Sequence, residues 1–202
     1  NLDATNGATI LADGADLLMR NTDISQTEGR IEAVNDSKIL LSSNVLIDGG
    51  ILETDATSLA ETQSTSSVTL RDVSLTEGSR LIINNNDRVN LENSFTNEGT
   101  VTLDDTNTSF TTQIFAANDL TLLGEGVFVN SANTANRFSG AGTATVTVGD
   151  QLVLAGGNMF FNAAILDNMG IVAADNGAFL DIHSSTNNTN LPGSKITGGK
   201  LR

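Results

Sequence analysis

A short phrase that keeps returning limits what this chain can fold into. A Gly, often preceded by Gly, Glu or Asn, opens a brief run of β-branched and apolar residues that soon breaks at another polar turn. The phrase appears as EGRIEAV (28–34), GGILET (49–54), EGSRLII (77–83), NEGTVTL (97–103), GEGVFV (124–129), GGNMFF (156–161), NMGIVAA (168–174), NGAFLDI (176–182) and GGKLR (198–202). Self-similarity at a period of roughly 20–30 residues marks a solenoid, in which a repeat buries its apolar face only by stacking on its neighbours.

Between these phrases the chain reads as strands and turns, with a strand candidate about every ten residues. TATVTV (143–148) alternates strictly, Val146 and Val148 on one side and Thr145 and Thr147 on the other. SVTLRDVSL (67–75) does the same after a shift of phase at Asp72. Period-two alternation with one apolar side signals a half-buried strand. No capped i, i+3, i+4, i+7 stripe marks a helix. The turns hold Asn, Asp, Gly, Ser and Thr, which accept left-handed backbone and bond their own turns. There are 23 Asn, and Asn at one corner of successive turns can stack into a ladder. The single proline, Pro192, suits continuous ladder pairing, because proline donates no N–H.

These features predict an all-β fold, a right-handed parallel β-helix (β-solenoid) forming a single domain over residues 1–202. At ~22 residues per turn it would have roughly nine rungs and a length on the order of 45 Å. The phrase residues Ile31, Ile51, Ile82, Val101, Val127, Phe160, Ile171 and Leu180 are expected to point inward.

Composition sets the functional bounds. A 39% apolar content with 4% aromatics, all Phe, is thin for a wide core but adequate for a narrow column. There is no Cys, which removes disulfides, thiolate metal sites and Cys nucleophiles. A net charge of −14, with no Lys/Arg cluster, argues against nucleic acid as a partner. No stretch approaches the 18 apolar residues of a membrane-spanning helix.

LENSFTNEGTVTL (91–103) and AAILDNMGIVAADNGAFLDI (163–182) resemble the Asn-x-Gly-[Thr/Ile]-[Ile/Val] repeats of bacterial secreted β-helix proteins. That group includes filamentous-haemagglutinin-like exoproteins and the passenger domains of autotransporter adhesins. The resemblance is one of repeat style, clearest from Ser94 onward, and carries no catalytic motif. It implies export, an extracellular or cell-surface location, and a role in adhesion, surface display or fibre building, with host or matrix glycans as possible partners.

The candidate sites are sparse. Asp104, Asp105 and Asn107 offer closely spaced oxygen donors in a turn, which is the chemistry calcium requires. His183, the one histidine, ends a strand two residues after Asp181, and its ordinary reading is a surface side chain. Asn21-Thr22-Asp23, Asp104-Asp105, His183 and Lys195-Ile196 look like fragments of polygalacturonase motifs. Asp23 and Asp104, however, lie between three and four turns apart, roughly 15–20 Å along the coil. Paired carboxylates of an inverting glycosidase lie about 6.5–9.5 Å apart. The expectation is therefore a non-enzymatic structural and interaction module. Polysaccharide binding or cleavage, and a calcium-binding roll, are the alternatives. Both ends of the sequence look like ordinary coil, so each edge should be completed by more chain or by another copy stacked head to tail. Acidic flanks should discourage sideways clumping.

Overall fold

The computed structural model describes residues 7–63, 67–104, 111–131, 136–157, 159–162, 165–174, 179–183, 189–190, 195–197 and 200–201. Across these residues the chain forms parallel strands stacked as a β-solenoid, with no helix. Each turn contributes three short strands. One turn runs through Arg30–Val34, Lys38–Leu41 and Val45–Asp48, and the next begins at Ile51–Thr54 and Leu59–Thr62. We call the three stacks the first, second and third faces, in that order. The second face is a separate nine-stranded sheet. The other two belong to one 15-stranded sheet, because Ser67–Leu75, Arg88–Asn97 and Gln113–Leu123 each bend across the corner between them. In the first two the bend is made by Asp72 and Asn93, at φ 52° and 60°, a left-handed conformation that Asp and Asn tolerate.

Equivalent residues lie 21 apart at Ser37 and Ser58 and 27 apart at Glu98 and Glu125. The coil amounts to about seven turns, against the roughly nine rungs expected. Nine strands do stack on the second face. Strands at Thr22–Ser25, Leu59–Thr62, Arg137–Gly140 and Ile165–Asn168 escape the sequence pattern. Each buries at most one large apolar side chain (Ile24, Phe138 and Leu166, and none in Leu59–Thr62, whose inward pair is Ala60 and Thr62), so an apolar alternation does not stand out.

The core is a column of inward side chains, one above another. On the second face Leu81, Val101, Phe128, Leu154 and Val172 succeed each other in register, all buried. Phe95, Phe128, Phe138 and Phe161 form a chain of rings through the interior, at centroid spacings of 6.1, 6.2 and 4.9 Å.

The register corrects part of the expected core. Ile31 and Val101 point inward, but Ile51, Ile82, Val127 and Ile171 face outward, Ile171 being 37% exposed. The side chains of Phe160 and Leu180 lie outside the described residues. The corner residue sets the phase. Counting from Gly29, Gly50, Ser79, Gly99, Gly126 or Gly170, the second residue on is buried and the first is not. A shift of one residue turns every side chain of a strand to the opposite side.

The phrase also serves at more than one corner. It precedes the first face at Gly29 and Gly50, the second at Gly99, Gly126 and Gly170, and the third at Gly157. Its uneven spacing in the sequence follows from that.

Candidate functional site

The residues expected to bind calcium are not brought together within the described structure. Asp104 is exposed just after Thr100–Leu103, its N–H donating to the Ile83 carbonyl at 2.9 Å. Asp105 and Asn107 lie outside the described residues. Among those described, no group of three His, Asp or Glu is placed to hold a metal. Asp23 sits on the third face, paired in register with Leu46, whereas Asp104 follows a strand of the second face. His183 is in register with Asn162 on the third face, but its side chain and that of Asp181 lie outside the described residues.

The corner between the first and second faces carries a carboxylate in each of seven successive turns: Asp16, Asp36, Asp55, Glu77, Glu98, Glu125 and Asp150. Several of them stitch turns together. Asp55 accepts the Asn35 N–H from the turn below at 2.9 Å, and the Ser58 and Thr57 N–H groups at 2.8 and 2.9 Å. These donors, Asn35 foremost and then Ser58, hold its carboxyl well below the ordinary range. Glu98 accepts the Glu125 N–H at 3.0 Å.

The third face is polar and mixed in charge. Asp48, Arg71 and Glu92 stack in register on three turns, Arg71 bonding Asp48 at 3.1 Å and Glu92 at 2.7 Å. Glu92 above all raises the Arg71 pKa. On the strand that carries Glu92, the Arg88 guanidinium carbon lies 3.7 Å from the centre of the ring of Phe115 on the next turn. Asn44 donates to Asn21 at 3.2 Å at the next corner, a single step of the expected ladder. Elsewhere the stacking mixes Asn with Asp, as in Asn35 to Asp13 and Asn93 to Asp72.

The outer surface of the second face is different in kind. Above Glu61 its outward positions carry Arg80 and Ile82, then Thr100 and Thr102, Val127 and Val129, Val153 and Ala155, and Ile171 and Ala173. After Arg80 none of these is ionisable. The result is a flat, half-exposed surface of β-branched and small side chains. Sequence reasoning missed it because Ile82, Val127 and Ile171 were assigned to the interior. The signal was present in Thr100-Val101-Thr102-Leu103, where the two Thr mark the outer side for every strand aligned on the same corner.

No family model, curated protein or solved structure matches the chain. The arrangement can stack, bond turn to turn and present three chemically distinct faces.

Proposed function

We propose that this chain is a non-enzymatic structural and interaction module of a secreted or cell-surface protein: a section of rod, adhesin stalk or fibre subunit that stacks end to end. The observation that carries this reading is that every turn is tied to the next through all three faces, by ladders that run from one end of the coil to the other. Side chains reinforce them at the corners. Such a body resists bending and propagates along one axis. In the first described turn, Thr9–Asp13, Leu17–Met19 and Thr22–Ser25 have, among the described residues, a ladder partner on one side only, an edge of the kind another copy or more chain completes. The likeness in repeat style to filamentous-haemagglutinin-like exoproteins and adhesin passenger domains supports the same role. Electron microscopy of the concentrated chain tests it. Linear strings of rods are expected; dispersed single particles under all conditions would refute end-to-end stacking.

A second reading, glycan binding, has one observation in its favour. A shallow depression of about 220 Å³ on the third face is lined by Asp23, Asn44, Leu46, Ser67 and Thr69, combining hydroxyl and amide groups with an apolar floor. Titration with neutral and acidic polysaccharides, with and without calcium, tests it. Binding that Asp23→Ala abolishes would support it. Release of reducing ends would replace the non-enzymatic reading with a hydrolytic one.

A further inference from the structure

We propose that the third face, from Arg88 to Arg137, is a binding site for a carboxylated glycan whose acid groups are held by these two arginines.

The register builds the site. Ser67, Arg88, Gln113 and Arg137 occupy one outward column on four successive turns. Asn90, Phe115 and Ser139 form the column beside it. Arg88 is held at two points: its Nε donates to the Asn90 side-chain oxygen at 2.7 Å, and its guanidinium lies over the Phe115 ring. Asn90 is fixed in turn by donating to the Ser67 and Thr69 hydroxyls, each at 3.3 Å. One turn above Arg88, Gln113 Oε1 accepts the Ser139 hydroxyl at 3.2 Å. The amide oxygens of the patch are therefore spent within the protein. The Arg88 Nη groups, Gln113 Nε2 and the guanidinium of exposed Arg137 have no hydrogen-bond partner among the described residues. Over these three turns the column offers a ligand N–H donors alone.

Charge selects the ligand. Arg30, Lys38 and Arg71 each pair with a carboxylate, and Glu92, on the strand of Arg88, is the one that takes Arg71. Arg88 and Arg137 have no carboxylate partner among the described residues, in a chain of 24 acidic and 10 basic residues. Above Arg137 the first acidic position in their column is Asp181, two turns higher. A guanidinium fork takes a carboxylate bidentately, and holding Arg88 in place beforehand lowers the ordering cost of binding. The two charges stand two turns apart, roughly 10 Å, with an uncharged donor between them. That spacing fits acid groups facing the same way on alternate units of an extended glycan, with hydroxyls of the unit between them meeting Gln113. A phosphate chain carries its charges more densely, and the net charge of −14 repels it. The strip begins one turn above Ser67 and shares no residue with the depression lined by Asp23 and Asn44, so the proposal does not rest on that reading.

Isothermal titration calorimetry with oligogalacturonate is the test, beside its methyl-esterified form, a sulphated dextran and oligoglutamate of matched length. Oligogalacturonate should bind most tightly and the esterified form not at all. Arg137→Gln and, separately, Arg88→Gln should each weaken binding about tenfold or more, while Asp23→Ala leaves it unchanged. Arg137 is exposed, so its variant keeps the fold even if loss of the Arg88–Phe115 contact loosens the other. No binding at millimolar ligand would overturn the proposal, as would equal binding of the esterified form. Tighter binding of oligoglutamate or sulphated dextran would overturn the choice of a carboxylated glycan. Binding that both arginine variants leave intact, or that Asp23→Ala abolishes, would move the site off this strip.

Discussion

The side-chain oxygen of Asn97 accepts the N–H of Gly99 from inside the coil, at 3.1 Å. The same residue's Nδ2 donates to the Val127 carbonyl one turn up, at 3.2 Å, and Asn97 is fully buried. Asn168 repeats the first of these bonds with Gly170, also at 3.1 Å. The returning Asn-x-Gly phrase is thus a corner device. The Asn satisfies backbone groups that the corner would leave unpaired, and the Gly leaves room for the turn below. A Cβ on Gly99 would press against the Ser79 carbonyl oxygen. Replacing Asn97 by Ala should destabilise the coil by about 1–3 kcal/mol, the cost of leaving a buried polar group unpaired. Asp should fare no better, since a carboxylate cannot donate to Val127. Urea denaturation measures both, and an unmoved midpoint would mean that the corner closes without the amide.

Gln26 offers the opposite case. It is 3% exposed, yet neither its Oε1 nor its Nε2 has a hydrogen-bond partner. Its side chain fills the space beside Gly29 and Gly50. Gln26→Met keeps the shape and removes two orphaned polar atoms, so it should raise the unfolding free energy by about 1–3 kcal/mol. A lower midpoint would show that the amide is bonded in solution.

Phe128 contacts rings on both sides of the interior, Phe95 and Phe138, at 6.1 and 6.2 Å. Truncation to Ala opens a gap that the stacked turns close only by breaking ladder bonds. A loss of about 3–5 kcal/mol is expected. Thermal unfolding checks it, and a loss below about 1 kcal/mol would argue against ring packing in the core.

Acid should weaken the fold through its corners. Asp55 and Asp72 both have depressed carboxyl pKa values, Asp55 chiefly through the Asn35 N–H and Asp72 chiefly through the Asn93 side chain. A depressed folded-state pKa gives stability that is present above the unfolded value of about 3.9 and lost as pH falls through the folded one. The unfolding midpoint should therefore hold from pH 7 to about 5 and fall below about 4. Asp55→Asn should flatten the acid limb. A limb unchanged in that variant would assign acid sensitivity to other carboxylates.

The parallel coil was legible in the sequence because Gly corners and β-branched runs recur faster than any globular core requires. What could not be read was the phase. Ile82-Ile83 and Ile51-Leu52 are apolar on both sides of the strand, so nothing in those pairs says which residue is inside. Strands such as Thr100–Leu103, where Thr alternates with Val and Leu, do carry the phase, but only a shared corner transfers it to their neighbours. The three-strand turn was hidden for a related reason. Thr22–Ser25 and Arg137–Gly140 each bury a single large apolar side chain, Ile24 and Phe138, too few to form a pattern. Of the expected calcium ligands only Asp104 falls within the described structure, and sequence spacing could not say which corner it occupies.

Phase is also the claim on which the outer surface of the second face depends, and a chain without Cys allows it to be measured directly. Single Cys substitutions at Val127, Phe128 and Val129, exposed to a maleimide under native conditions, read the direction of three successive side chains. Rapid labelling at positions 127 and 129, with position 128 protected until denaturant is added, is the predicted result. Rapid labelling at 128 with protection at 127 and 129 would contradict the register, and with it the placement of every residue on that face.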